Sequence, residues 1–70
     1  EFRHIDRLGL ADTSESFDTL RRARAAHGEV LLGTLHRSDE SMPRLLLNPE
    51  DKQAPIALSA RDELVVLAIG

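Results

Sequence analysis

Gly28-Glu29-Val30-Leu31-Leu32-Gly33-Thr34-Leu35-His36-Arg37 is entered through a glycine and left into a polar loop. Alternation along an extended chain sends Val30, Leu32, Thr34 and His36 to one side and Leu31, Gly33 and Leu35 to the other. Both sides carry apolar groups, which predicts a central strand. Gly33 within it costs strand stability through backbone entropy, and so marks either a bulge or the close approach of another backbone. The neighbouring helix is the expected visitor.

That helix is read over Phe17 to Ala26. Glu15 and Asp18 stand at its start and Arg21, Arg22, Arg24 and His27 in its later turns, the order that complements the helix dipole. Ser16, or Ser14, supplies an N-cap oxygen. Gly28 ends the helix in the left-handed conformation. The apolar stripe is Phe17, Leu20, Ala23 and Ala26 or His27, two large residues followed by alanines.

Working outward, Phe2 to Leu10 alternates roughly and is read as an edge strand. Ala11 to Ser16 is read as a polar connector. Downstream, Ser38 to Pro43 is a polar loop, and Arg44 to Asn48 returns as a strand antiparallel to the central one. Pro49 to Pro55 is a charged loop, Ile56-Ala57-Leu58 a short apolar piece, and Ser59-Ala60-Arg61-Asp62 a tight turn. Leu64 to Ile69 is apolar throughout, as in a strand covered on both faces. One helix covers only one face, so a second chain or a further segment is expected on the other. The fold class is therefore α+β: a small β-α-β-β-β module, mostly antiparallel, with one helix on one face of the sheet.

Seventy residues, 41% hydrophobic and 30% charged, make one domain. At this size a single core supplies roughly 3 to 5 kcal/mol unless a disulfide, a metal or a partner adds to it. Cysteine is absent, which removes disulfides and thiolate sites together, so association is the expected supplement. Nine basic and twelve acidic residues give a net charge of −3, contrary to the basic balance of a phosphate-backbone binder. No run approaches the ~18 apolar residues of a membrane span, so a soluble piece is expected. The first residue is Glu and the chain stops at Gly70 directly after an apolar strand, which reads as an excised part of a longer protein.

The residues that could carry chemistry are few. Arg21, Arg22 and Arg24 form a basic patch on the helix, with Arg3 and Arg7 nearby. It reads either as a solvated face pairing with Glu15 and Asp18 or as an anion or nucleotide-phosphate site. His4 and His36 would approach each other if their strands paired, with Asp39 completing a metal site, whereas His27 near the helix end is more simply a partner for the last carbonyls. Asp39 with Glu40, and Glu50 with Asp51, lie in loops without the spacing of a calcium site. There is no nucleophile elbow, glycine-rich phosphate loop or metal-hydrolase motif, so no enzyme is expected and no cofactor is identified. Two phenylalanines and no tyrosine or tryptophan leave no stacking platform for nucleic acid.

Three motifs in order, His27-Gly28-Glu29-Val30-Leu31-Leu32-Gly33, Leu46-Leu47-Asn48-Pro49 and Ala60-Arg61-Asp62-Glu63-Leu64-Val65-Val66-Leu67, resemble the C-terminal regulatory subdomain of the potassium-conductance regulator (RCK) type, also called TrkA-C. The version with Gly33 and Asn48-Pro49 looks most like the ion-channel relatives of the Castor and Pollux proteins. Arg61 departs from the Gly that many members have before the Asp, and Glu15 to Leu20 departs from their usual helix start. The resemblance implies a cytoplasmic regulatory domain of a potassium or other cation channel or transporter. Such a domain forms a homodimer or higher homo-oligomer, works with a membrane-embedded portion of the same protein, and in some relatives binds an ion or a nucleotide. Arg21, Arg24, Asn48 and Asp62 are taken as the ligand-binding candidates. A purely structural dimerisation module is the alternative expectation.

Overall fold

A computed structural model of the chain describes residues 1–37 and 42–69. In chain order these form β1 (Phe2–His4), a 3-10 turn (Asp6–Leu8), β2 (Thr13–Ser16), α1 (Phe17–Ala25), β3 (Glu29–His36), β4 (Arg44–Leu47), β5 (Pro55–Leu58) and β6 (Glu63–Ala68). The α+β class and the helix on one face are as expected. A four-stranded antiparallel sheet has the order β1-β6-β3-β4, and β2 and β5 form a separate two-stranded antiparallel pair. Asp39 and Glu40, and with them the proposed acidic ligand for the histidines, lie outside the described residues.

Two parts of the N-terminal reading are corrected. The edge strand is only three residues long, because the chain leaves the sheet at Ile5 and winds into the 3-10 turn. Ile5 then enters the core instead of continuing an alternation: its amide donates to the Asp62 carbonyl at 3.0 Å and its side chain is fully buried. The polar connector is in part β2, whose Thr13, Ser14, Glu15 and Ser16 pair with Leu58, Ala57, Ile56 and Pro55. Polar composition concealed a strand here because the pair presents only one face, that of β5, to the core.

Ser16 caps α1 as expected, its hydroxyl accepting from the Thr19 amide at 3.1 Å. Gly28 adopts φ 72°, left-handed, and turns the chain into β3. The helix buries Phe17 and Leu20, whereas Ala23, Ala26 and His27 are exposed. Its inner face continues through Arg24, at i, i+3, i+7 spacing from Phe17 and Leu20. An arginine can complete that face because a buried carboxylate waits for it, as described below.

β3 is interior, between β6 and β4, and its register shifts midway. Leu31 pairs with Val66, yet Gly33 pairs with Val65, so Leu32 is an extra residue and the strand bulges there. The bulge reverses the alternation: Glu29 and Leu31 before it and Thr34 and His36 after it share the inner face with Leu64 and Val66. The expected grouping of Leu31 with Gly33 and Leu35 is thereby corrected. Gly33 does have a backbone pressed against it, but the visitor is β4 and not the helix. A Cβ built at Gly33 would collide with the Leu46 carbonyl oxygen and lie 2.9 Å from the Leu47 Cα.

The core comprises Ile5, Phe17, Leu20, Leu31, Leu58, Leu64 and Val66, with Leu8, Leu10 and Ile56 packed against it. It lies between the inner face of the four-stranded sheet and a cover formed by α1, the 3-10 turn and the β2–β5 pair. Because the bulge reverses β3, the core is centred on β6 and β3 and stops short of β4.

Val66 is completely buried in this core, so Val66→Asp places an unpaired carboxylate there. Thermal unfolding followed by circular dichroism is expected to show loss of the folded state, since the cost exceeds the few kcal/mol available to a chain this small. Gly33→Ala is expected to lower stability by about 1–3 kcal/mol in urea titration, because β4 must move away from β3 to admit the methyl group.

Candidate functional site

The inner face of the four-stranded sheet is covered and the outer face is bare. Pairing of Phe2 with Val65, Val30 with Leu67, and Gly33 and Leu35 with Leu47 and Leu45 puts these residues on the outer face. Phe2, Val30, Leu45, Leu47, Leu67 and Ile69 are each 40–65% exposed. The all-apolar closing strand was expected to be covered on both faces; among the described residues it is covered on one. Charged groups gather at one end of the bare face, where Glu63 lies 3.6 Å from the His4 ring and 3.5 Å from Arg37.

β4 is bare on both faces. All four of its residues are exposed, including Leu46, which faces inward but lies beyond α1. A shallow cavity of about 280 Å³ lined by His36, Arg44, Leu45 and Leu46 adjoins it.

The charged side chains expected to form a ligand site are held in internal pairs. Glu29, at the start of β3 and 92% buried, accepts from Arg3 Nε at 2.6 Å and from Arg24 Nη1 at 3.0 Å. Burial alone would raise the Glu29 pKa; the hydrogen bonds and charges of Arg3 and Arg24 prevail and bring it below the usual carboxylate range. The network ties β1 and α1 to β3. Arg21 and Arg22 pair instead with Asp18, at 2.5 and 2.8 Å, on the outer side of the helix.

Asp62 is buried in the turn before β6. Its Oδ1 accepts from the Arg37 amide at 2.9 Å, and its Oδ2 accepts from the Ser59 amide at 2.9 Å and faces His36 Nδ1 at 3.2 Å. Burial would raise the pKa of this carboxyl as well, but the Ser59 and Arg37 amides and the His36 ring hold it below the usual range. His36 Nε2 lies 2.8 Å from the Thr34 hydroxyl. With the proton on Nδ1, the ring donates to Asp62 and accepts from Thr34. Carboxylate, imidazole and hydroxyl are thus in line as in a nucleophilic relay, but Thr34 is completely buried and its hydroxyl meets no substrate. The relay locks the end of β3 to the turn before β6.

Arg21, Arg24, Asn48 and Asp62 are consequently not brought together. Arg24 stands at one end of β3 through Glu29 and Asp62 at the other through His36, roughly 20 Å apart at strand rise. Asn48 sits beside the bulge, at φ 43°, its amide donating to the Leu32 carbonyl at 2.9 Å. His4 and His36 do not meet either: β6 separates β1 from β3, and each ring faces its own carboxylate, Glu63 or Asp62. Among the described residues no three metal-ligating side chains converge.

The sequence reading missed Glu29, Thr34 and β4 as the informative residues. The signal for β4 was legible. Leu45-Leu46-Leu47 between two prolines is apolar on both faces, although a hairpin strand at a sheet edge ordinarily turns one polar face to water. Comparison of the chain with protein-family models, curated proteins and solved structures finds no match.

Because the Asp62 pKa is lowered on folding, its contribution is fully present above the unfolded value near pH 4 and is lost as pH falls through the lower folded value. Asp62→Asn is expected to cost about 2–4 kcal/mol at neutral pH, since the amide turns an NH₂ group toward a backbone N–H whichever way it is placed. Urea unfolding from pH 7 to pH 2.5 checks this: the gap between wild type and variant should close below pH 4.

Proposed function

We propose that this chain is a dimerising regulatory domain that acts on the cytoplasmic side of a cation channel or transporter. The observation that carries the dimerising part is the bare apolar outer face of the sheet together with the bare strand β4. A standard interface takes about 800 Å² from each partner, and in homodimers roughly 65% of it, about 500 Å², is apolar. Six large side chains, each 40–65% exposed, supply an area on that order, at the upper end for a patch on a typical monomer.

The channel setting rests on the resemblance of the three motifs to the conductance-regulator subdomain. What the structure adds in support is a physical task for each motif residue. Gly28 is the left-handed helix end, Gly33 sits at the bulge under β4, Asn48 is the left-handed residue after β4, and Asp62 clamps the turn before β6. These are the places where a change of residue would alter the path of the chain.

The saturation of Arg24 by Glu29, of Arg21 by Asp18 and of Asp62 by two amides and a histidine favours a second reading, a structural dimerisation module that takes no small ligand. Under the sensing reading, a ligand regulates the domain only through different affinity for two arrangements of the pair, with coupling on the scale of ~1 to 3 kcal/mol.

Light scattering of the chain at micromolar to millimolar concentration is expected to give twice the chain mass of 7.8 kDa; a monomer throughout contradicts the proposal. Calorimetry against calcium, potassium, nucleotides and cyclic dinucleotides separates the two readings. Heat and a changed mass with one of them support sensing, and a flat response to all supports assembly alone.

A further inference from the structure

β4 (Arg44–Leu47) is the terminal strand of its sheet, and its far edge pairs with no other strand among the described residues. The direction of its backbone groups follows from one hydrogen bond. The Asn48 amide donates toward β3, to the Leu32 carbonyl. Groups alternate along an antiparallel ladder, so those of Leu46 and Arg44 also point to β3, while the N–H and C=O groups of Leu45 and Leu47 point to the free edge. Pro43 and Pro49 flank the strand and have no N–H to offer. The free edge therefore presents two donors, framed by proline at both ends.

Resting on the dimerising reading above, and on its bare strand β4 in place of the broad outer face of β1, β6 and β3, we propose that its seam is this edge. Two copies join by antiparallel pairing of β4 with β4 about a two-fold axis at Leu46, making one sheet of eight strands from two of four. Register is set by the prolines, which offer no N–H to a carbonyl opposite them. With Leu45 opposite Leu47 of the second copy, all four outward amides and all four outward carbonyls of the two strands are paired, and the prolines lie beyond the paired residues. A shift by two residues in either direction sets a leucine of each copy against a flanking proline, which has no N–H for the leucine carbonyl. A shift by one puts inner-face residues against outer-face residues.

The side chains agree with this arrangement. Leu45 and Leu47 meet their counterparts on the outer face and Leu46 meets its own copy on the inner face, covering the three leucines that the monomer leaves in water. Antiparallel pairing also carries the strand's one charge, Arg44, toward Glu50 and Asp51, which follow the strand in the second copy. A strand with a basic start and an acidic exit is complementary to itself under a two-fold axis, which identifies the occupant as another copy of this chain. The prolines end the ladder after these residues, so the product is a closed pair.

The absence of cysteine allows a direct test. In this register the Leu46 Cα atoms face each other at about 4.5 Å, within disulfide range, while Leu45 and Leu47 are each about 8 Å from their own copies, beyond it. Leu46→Cys, Leu45→Cys and Leu47→Cys are oxidised separately and run on non-reducing gels, and Leu45→Pro, which removes an outward donor and no hydrogen bond to β3, is compared with wild type by sedimentation. We expect covalent dimer from Leu46→Cys at least tenfold faster than from the other two, and a dimer Kd raised at least about tenfold in Leu45→Pro. Should Leu45→Pro not fold, the cross-linking pattern decides. Equal cross-linking at all three positions, or a dimer unweakened by Leu45→Pro and broken by Leu67→Lys on the outer face, overturns edge pairing and leaves the dimerising reading standing. A wild-type chain that stays monomeric overturns both.

Discussion

The absence of a side chain at Gly33 allows β4 to lie against β3 at a distance no other residue permits. Much of the architecture depends on that contact and on the bulge beside it. The extra residue, Leu32, reverses the alternation of β3, so that Leu31 and Thr34 both reach the covered side although three positions separate them. Without the reversal, Thr34 and His36 would face outward and the lock to Asp62 would not form. With it, the outer face keeps Val30, Gly33 and Leu35, and the apolar surplus of the strand is left in water.

Two buried carboxylates hold the ends of this strand. Glu29 gathers Arg3 from β1 and Arg24 from the helix, and Asp62 gathers the Arg37 and Ser59 amides with His36. Neither is expected to add much stability over a well-packed apolar pair, because desolvation offsets most of the attraction. Their role is directional: each is satisfied in only one arrangement of the elements it joins, and an alternative register would leave a charge buried without partners. This accounts for the absence of a ready ligand site among the described residues. The charged groups a ligand would use are occupied in positioning β3.

A good part of this was legible in the residues. The cap at Ser16, the left-handed Gly28, the β3–β4 hairpin, the turn at Asp62 and the strand after it follow from local rules that act over a few positions. The 3-10 turn at Asp6–Leu8 and strand β2 were not legible, because both owe their conformation to distant partners. Ile5 is drawn inward by the Asp62 carbonyl, and Thr13–Ser16 is extended only because β5 lies beside it. Arg24 was read as part of a basic surface for the same reason: nothing near it in the chain discloses that Glu29, after the turn at Gly28, would be buried to receive it.

By itself, then, the sequence determined the class of fold, the places where the chain turns, and a surplus of apolar residues beyond what one helix can cover. Only the tertiary structure decided which face keeps that surplus. A strand's two faces are equivalent until a neighbour distinguishes them, and a single bulged residue at the β3–β6 pairing assigns Thr34 and His36 to the inside and leaves the outer face and β4 to water.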